Sequence, residues 1–157
     1  MLEKFYLTEK GLEKIKKEME DLKAIRLAKT KGESPKLLHS EDINPDYLSF
    51  EEDLHLLETR IDEVEHILKN FELIKVPPKS KRNVIELGAT VTLKESDGQI
   101  NEFMIVGTVE ANPSEGKISS RSPIGKMLLG RKIGEEVVIN SPINVVYKVK
   151  KIKYFLS

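Results

Sequence analysis

The stretch YLSFEEDLHLLETRIDEVEHILKNF, residues 47–71, decides the first half of the fold. Its apolar residues recur at alternating spacings of three and four: Tyr47, Phe50, Leu54, Leu57, Ile61, Val64, Leu68 and Phe71. This heptad period of about 3.5, which no glycine or proline interrupts, predicts one long amphipathic helix. At 1.5 Å per residue the helix would span roughly 36 Å. A single helix with such a seam needs a partner that covers it.

The partner helix is predicted upstream, where four apolar residues keep the same spacing: Leu12, Ile15, Met19 and Leu22. Leu7 and Thr8 precede this run, and Thr8 has the side chain of a helix N-cap. Arg26 and Lys29 occupy the next two seam positions, so the seam becomes polar toward its far end. The simplest assembly is an antiparallel hairpin of two long helices. From its period alone, the hairpin could equally be a dimerisation arm with no further role.

The tip of this hairpin, about residues 30–46, is rich in acids. Asn44 followed by Pro45 predicts an N-cap and the first residue of the second helix. Acids surround this start: Glu41, Asp42 and Asp46. Acids here can simply favour the positive end of the helix dipole and a solvated surface. Alternatively, carboxylates at the end of a long arm can hold a hard cation or complete the metal site of another protein.

A change of composition separates two domains. Residues 76–83, VPPKSKRN, have the paired prolines of a linker, which places the hairpin at residues 1–75 and a second domain at residues 84–157. The 157 residues carry 26 Lys and Arg against 26 Asp and Glu. Up to residue 76 there are 13 basic and 18 acidic residues, and beyond it 13 basic and 8 acidic. The net charge of zero therefore combines an acidic arm with a basic domain.

The second domain is predicted as an α+β fold. The predicted strands cover residues 89–93, 103–106, 117–119, 137–139 and 145–154. Asp97-Gly98 predicts a hairpin turn between the first two strands. Ser122 as N-cap, Pro123 at the first helical position and Gly130 as the stop enclose a short helix. We therefore expect a small antiparallel sheet with one short helix laid over it.

Local chemistry for an independent enzyme is scarce. The chain has no Cys, which excludes a disulfide framework and thiolate metal sites. His39, His55 and His66 show no metal-binding spacing, and the second domain has no His to activate a serine. An independent hydrolase or nuclease is therefore not expected. The charged first ten residues and the lack of a long apolar run lead us to expect a cytoplasmic protein.

Several blocks resemble the bacterial Gre transcript cleavage factors, and the resemblance covers nearly the whole chain. The blocks are YLTEKG at residues 6–11, LETRI at residues 57–61 and the region from Gly88 to Pro142. The most specific part is similar to the GreA signature in order and spacing: GKIS at 116–119, SPIGKMLLG at 122–130 and GEEV at 134–137. The resemblance implies an N-terminal coiled-coil hairpin followed by a C-terminal domain like an FK506-binding protein.

The resemblance also implies a function in which the protein is not itself an enzyme. Factors of this family bind bacterial RNA polymerase and pass their hairpin down its secondary channel. Their tip acids help to hold the polymerase's second Mg²⁺, and the polymerase then cleaves the 3′ end of backtracked RNA. The acids expected to act here are Glu41, Asp42 and Asp46, with Glu41 and Asp42 as the Mg²⁺ ligands. No tightly bound cofactor and no membrane partner are expected, and we expect a monomer.

Docking on the polymerase is expected from the exposed side of residues 122–130. The residues assigned to it are Ser122, Pro123, Ile124, Lys126 and Met127. For RNA, Glu51 stands where many family members have a basic residue that approaches the transcript. The remaining candidates for that contact are Lys29, Lys31 and Lys36.

The tip departs from the family pattern, in which Asp, two residues and Glu precede Asn-Ala-Glu-Tyr. Asn44, Asp46 and Tyr47 fit the end of the pattern. Without a gap, however, the two essential acid positions fall on Ser40 and Ile43. Glu41 and Asp42 could replace them after a local shift in the loop. The alternative is a Gre homologue that occupies the channel and inhibits or competes without stimulating cleavage.

A third hypothesis is a peptidyl-prolyl isomerase, by analogy with the fold of the second domain. The aromatic residues of that domain are Phe103, Tyr147, Tyr154 and Phe155, and the chain has no Trp to form the floor of a proline pocket. The sequence therefore favours the polymerase-binding hypotheses over this one.

Overall fold

The structure is a computed structural model that describes residues 4–31, 45–140 and 144–154. The chain forms two compact units: Glu13–Asn70, the helical unit, and Met1–Leu12 together with Phe71–Ser157, the sheet unit. This division does not coincide with the boundaries expected at residues 75 and 84. Both ends of the expected hairpin segment belong to the sheet unit, because two short strands there pair with each other.

The helical unit is built from α1 (Glu9–Lys31), which begins in the sheet unit, and α2 (Pro45–Lys69). With 25 residues, α2 is about 37 Å long, and it begins at Pro45 as predicted. The apolar seam ends earlier than the sequence indicated: α2 stops before Phe71, and Ile67 is buried where Leu68 was expected. A straight helix has 3.6 residues per turn, so a stripe with a period of 3.5 drifts around its surface.

Polar contacts between the two helices show their direction. Arg60 pairs with Glu18 through two hydrogen bonds, from Nε at 2.6 Å and from Nη2 at 3.1 Å. This carboxylate raises the pKa of the Arg60 guanidinium. Lys29, on the seam, lies 3.8 Å from Asp53 and 5.8 Å from the centre of the Phe50 ring. Because the partner number on α2 falls as the number on α1 rises, the hairpin is antiparallel, as predicted.

A two-stranded parallel sheet that the sequence did not indicate belongs to the sheet unit. Strand β1 (Phe5–Leu7) precedes α1 and pairs with β2 (Phe71–Leu73), which follows α2. Leu7 is fully buried, and its carbonyl accepts a hydrogen bond from the Ile74 amide at 2.8 Å. The pairing joins segments more than sixty residues apart, so no local pattern in the sequence indicates it.

The main sheet of the sheet unit has five strands in the order β5-β4-β3-β7-β6. They are β3 (Ala89–Glu95), β4 (Ile100–Val106), β5 (Lys117–Ser119), β6 (Glu136–Asn140) and β7 (Asn144–Tyr154). These confirm the predicted strands, and Gly98 occupies the predicted turn with φ of 94°. The sheet is antiparallel except at one edge, where β5 runs parallel to β4. The connection from β4 to β5 contains a 3-10 turn at Pro113–Glu115 and brings the chain back in the same direction.

Helix α3 (Pro123–Leu128) packs on this sheet and completes the predicted α+β fold. Ser122 is the N-cap, as predicted, and its Oγ accepts a hydrogen bond from the Gly125 amide at 3.1 Å. The core between α3 and the sheet is a cluster of ten buried residues, which includes Leu128 of α3. Val91 and Leu93 of β3 and Ile105 of β4 belong to the same cluster. Within the described ranges, no helix is long and apolar enough to cross a membrane.

Tyr154 fastens the end of β7 to the start of the domain. Its hydroxyl donates to the Val84 carbonyl at 2.5 Å and accepts from the Glu86 amide at 2.9 Å. Burial raises the pKa of this phenol. We expect Tyr154→Phe to lower the free energy of unfolding by about 1 kcal/mol, because two hydrogen bonds are lost.

The pH dependence of the stability difference between wild type and Tyr154→Phe provides a second test of this prediction. A raised pKa in the folded state means that the Tyr154 contribution is complete below the ordinary tyrosine pKa of 10.0 and is lost as the pH rises through the folded pKa. Urea unfolding at about pH 8 and about pH 10.5 should therefore show a smaller difference between wild type and Tyr154→Phe at the higher pH. An equal difference at both pH values would contradict the role given to the hydroxyl proton.

Candidate functional site

Asp46 is the one predicted tip acid whose position the structure describes. It lies in the first turn of α2 and is exposed to solvent. Glu41 and Asp42 lie outside the described residues, as do Ser40, Ile43 and Lys36. Because α2 begins at Pro45, the structure describes only Asp46 of this predicted set.

The predicted donor set suits Mg²⁺ in its chemistry. All three predicted residues supply carboxylate oxygens, which are the ligands that this hard cation prefers. Within residues 4–31, 45–140 and 144–154, no three His, Asp or Glu side chains converge into a group that could hold a metal. The predicted tip acids therefore match Mg²⁺ in the type of ligand atom that they supply.

The half of α2 nearer the tip is acidic and open to solvent. Glu51, Glu52 and Glu58 border a shallow depression on the helix surface together with Leu54 and His55. Glu51 also interacts with Tyr47, and their hydrogen bond raises the pKa of the Tyr47 phenol. The position at which the family carries a basic residue is thus occupied by an exposed carboxylate among others.

The basic candidates for an RNA contact differ in their surroundings. Lys29 is half-buried and engaged by Asp53 and the Phe50 ring. Lys31, the last residue of α1, is exposed. Of these two, only Lys31 is exposed to solvent.

The predicted docking residues are brought together around α3, but the structure separates their roles. Pro123, Lys126 and Met127 are exposed, and Met127 keeps 39% of its surface accessible. Ile124 packs against the core of the sheet. Ser122 is half-buried, since its hydroxyl donates to the Ser119 carbonyl at 2.7 Å while it caps the helix. The surface available to a partner is therefore formed by Pro123, Lys126 and Met127.

Glu110 is an important residue that the sequence reasoning missed. Its carboxylate accepts hydrogen bonds from the Thr8 amide at 2.8 Å and from the Thr8 hydroxyl at 2.6 Å. The same hydroxyl accepts a hydrogen bond from the Gly11 amide at 3.0 Å, which confirms Thr8 as the N-cap of α1. A Cβ on Gly11 would overlap the Glu110 carboxylate. Nothing local in the sequence connects these residues, which are about a hundred positions apart.

Gly107, like Gly11, lies at a position where a side chain would not fit. A Cβ at this position would overlap the carbonyl oxygen of Tyr6 in β1. The glycine therefore allows the end of β4 and strand β1 to approach each other closely. Together with Glu110, it explains how the segment before α1 is held in the sheet unit.

Comparison with known proteins identifies the family. A family model described as transcription elongation factor, GreA/GreB, C-terminal, matches residues 79–154. GreA of Thermomicrobium roseum is 39% identical over 142 residues, which cover 89% of this chain and 90% of that protein. GreA of Bacillus cytotoxicus is 41% identical over 145 residues, covering 89% and 90%.

Among solved structures, the GreA factor homolog 1 protein of Thermus thermophilus is similar at 27% identity. The similarity covers 96% of this chain and 99% of that one, with a TM-score of 0.43. The similarity to the two GreA proteins over 89% of the chain, together with the match over residues 79–154, shows that this chain belongs to the GreA/GreB family of transcription elongation factors.

Proposed function

We propose that this protein binds bacterial RNA polymerase, inserts its hairpin into the secondary channel and stimulates cleavage of backtracked RNA 3′ ends by the polymerase. Membership of the GreA/GreB family supports the polymerase as partner. The observation that carries the channel-insertion step is the antiparallel hairpin, in which α2 alone is about 37 Å long. The segment that joins its helices carries adjacent acids, Glu41 and Asp42.

In this proposal the chain supplies ligands rather than a complete catalytic site. Glu41 and Asp42 would hold an Mg²⁺ whose other ligands belong to the polymerase, and Asp46 adds negative charge in the first turn of α2. Such an ion, when bound, lowers the pKa of an attacking water and stabilises charge on the phosphate. The ion pairs of Glu18 with Arg60 and of Lys29 with Asp53 support the hairpin that presents these acids.

The exposed side of α3 is the proposed docking surface on the polymerase. Pro123, Lys126 and Met127 offer a small apolar and basic surface, while Ile124 and Leu128 anchor the helix to the sheet.

The alternative function, channel occupancy without stimulated cleavage, is favoured by one observation in the sequence. Ser40 and Ile43 stand where the family pattern has its two essential acids. Neither side chain can act as a carboxylate ligand, so stimulation depends on Glu41 and Asp42 taking over that role.

The deciding experiment measures release of 3′ RNA from backtracked elongation complexes made with the cognate polymerase and Mg²⁺. We expect the wild-type protein to accelerate release, and the double variant Glu41→Ala, Asp42→Ala to fall to the rate of polymerase alone. The matched control is Glu20→Ala, Asp21→Ala, which removes an adjacent pair of exposed acids from the middle of α1 and should keep full stimulation.

Two outcomes would count against the proposal. If the wild-type protein binds the polymerase but gives no release above the polymerase-alone rate, the competing role of a channel-occupying inhibitor replaces it. If release is fast but the tip double variant retains it, the assignment of Glu41 and Asp42 is wrong while the stimulating function stands.

A further inference from the structure

Five lysines line the outer face of the main sheet, the face away from α3 and the core. They are Lys94 on β3 and Lys148, Lys150, Lys151 and Lys153 on β7, and all are exposed. We call this set the basic face. Core residues alternate with them: Leu93, Val149 and Ile152 point to the opposite side and pack in the core. The pairing of β3 with β7 therefore places these lysines on one face, and no residue of the hairpin belongs to it.

A β-bulge enlarges the basic face. The register between β3 and β7 shifts at this point, since Thr92 pairs with Lys151 while the next residue, Leu93, pairs with Val149. Lys150 is the extra residue. Val149 and Ile152 both pack inward, so the two residues between them, Lys150 and Lys151, are both left exposed. A regular strand would have turned one of these neighbours toward the core.

The lysines of the basic face repel one another. Lys94 lies directly opposite Lys148 across β3 and β7, and like charges in such a pair destabilise a sheet. Among the described residues, none forms an ion pair with Lys94, Lys148, Lys150 or Lys151. The acids on neighbouring outer positions are Glu102 on β4 and Glu136 on β6. Against these two carboxylates, the ammonium groups of Lys94, Lys148, Lys150 and Lys151 leave this face positive, and a bound polyanion would relieve their repulsion.

We propose that the basic face binds the phosphate backbone of double-stranded DNA without reading its base sequence. Phosphate oxygens accept hydrogen bonds from ammonium and hydroxyl groups, and Thr90 and Thr92 lie beside the lysines at the outer positions of β3. Alternate residues of a strand are about 6.8 Å apart, so the lysines of β7 can contact several phosphates along one DNA strand.

A duplex fits this face better than unpaired nucleic acid. Proteins that bind single strands use exposed aromatic side chains on which bases stack. The aromatic residues of β4 and β7 instead pack against the core: Phe103, Tyr147 and Tyr154. The face is also the side of a sheet, which lacks a protruding helix or ribbon to enter the major groove. Contacts with the backbone alone, by lysines acting as point charges, follow from this geometry.

The test uses the full-length protein and a labelled duplex of about 20 base pairs, followed by fluorescence anisotropy between about 50 and 200 mM NaCl. Contacts with about four phosphates predict a loss of roughly 100-fold in affinity over this range. The variant Lys94→Gln, Lys148→Gln, Lys151→Gln should bind at least about tenfold more weakly at the lower salt and have a salt slope smaller by about 3. The control Lys79→Gln, Lys81→Gln, Lys132→Gln makes the same change of charge at exposed positions outside the five strands and should keep most of the affinity.

Thermal unfolding separates loss of the site from loss of the fold. Removing the Lys94–Lys148 repulsion should leave Tm unchanged or higher, so weaker binding by a variant of equal or greater stability supports the proposal. The single substitution Lys151→Gln provides a second, milder variant, for which a smaller slope is expected.

Four results would overturn the proposal. Equal weakening by the control triple variant would mean that only the overall charge matters. Unchanged binding by the basic-face variant would place the DNA elsewhere. Equal or tighter binding of poly-glutamate, or of a single strand of the same length, would assign the face to an acidic protein segment or to unpaired nucleic acid. None of these results bears on RNA cleavage, which the hairpin experiment tests separately.

Discussion

Gly125→Ala should destabilise the sheet unit by about 3 kcal/mol, although glycine to alanine within a helix ordinarily stabilises by up to about 1 kcal/mol. Gly125 is buried in α3, and a Cβ there would overlap the carbonyl oxygen of Ser119. That carbonyl is held in place by the Ser122 amide at 3.0 Å and the Ser122 hydroxyl at 2.7 Å. Because the carbonyl cannot yield without breaking these hydrogen bonds, α3 would have to move off the sheet.

Urea unfolding followed by circular dichroism measures this effect. The control is Lys126→Ala, the next residue of the same helix, which is exposed and should change stability by less than about 0.5 kcal/mol. If α3 also docks on the polymerase, Gly125→Ala should weaken polymerase binding as well, because Met127 and Lys126 lose their support. A stability equal to wild type would show that the close contact between α3 and Ser119 does not exist.

Glu110→Ala is expected to lower the free energy of unfolding by about 2–4 kcal/mol. The substitution removes the acceptor for both the amide and the hydroxyl of Thr8, a residue of which only 8% is exposed. A buried donor left without a partner costs its full desolvation energy. The negative charge that Glu110 places beside the first turn of α1 is lost at the same time.

Amide hydrogen exchange provides a local measurement for this prediction. Protection of the Thr8 and Gly11 amides should fall in Glu110→Ala, since both depend on the Glu110–Thr8 pair. Glu115→Ala is the matched control, because it removes an exposed carboxylate from the same connection and should leave both amides protected. If exchange at Thr8 is unchanged in Glu110→Ala, the carboxylate does not hold the start of α1.

The hairpin and most of the sheet could be predicted from sequence because their signals are local. The seam of α2 is visible in residue spacing, and its start follows from proline at the first position. The short helix α3 was equally clear, since Ser122 and Pro123 are adjacent capping signals. Each of these signals acts within a few residues, so it can be recognised in the sequence without knowledge of the rest of the fold.

Predictions failed where distant segments meet. Strands β1 and β2 pair across more than sixty residues, and β5 pairs parallel to β4 through a returning connection. The apolar seam was predicted to run through Leu68 to Phe71, but its last buried residue in α2 is Ile67, because packing follows the helical period of 3.6. The family resemblance correctly identified the GreA/GreB family, whereas the roles of the tip acids remain predictions for the cleavage assay.

Sequence alone determined the heptad hairpin, the strand positions of the five-stranded sheet, the caps of α1 and α3 and the family. Periodicity, capping and signature motifs depend on residues that are close together in the chain. Only the tertiary structure decided that Glu110 holds Thr8, that Gly125 must lack a side chain, and that a bulge leaves Lys150 and Lys151 exposed together. These depend on the register and close approach of segments far apart in the chain. The net charge of zero gives no indication of the basic face, because its lysines lie on one side of the sheet only when β3 and β7 are paired.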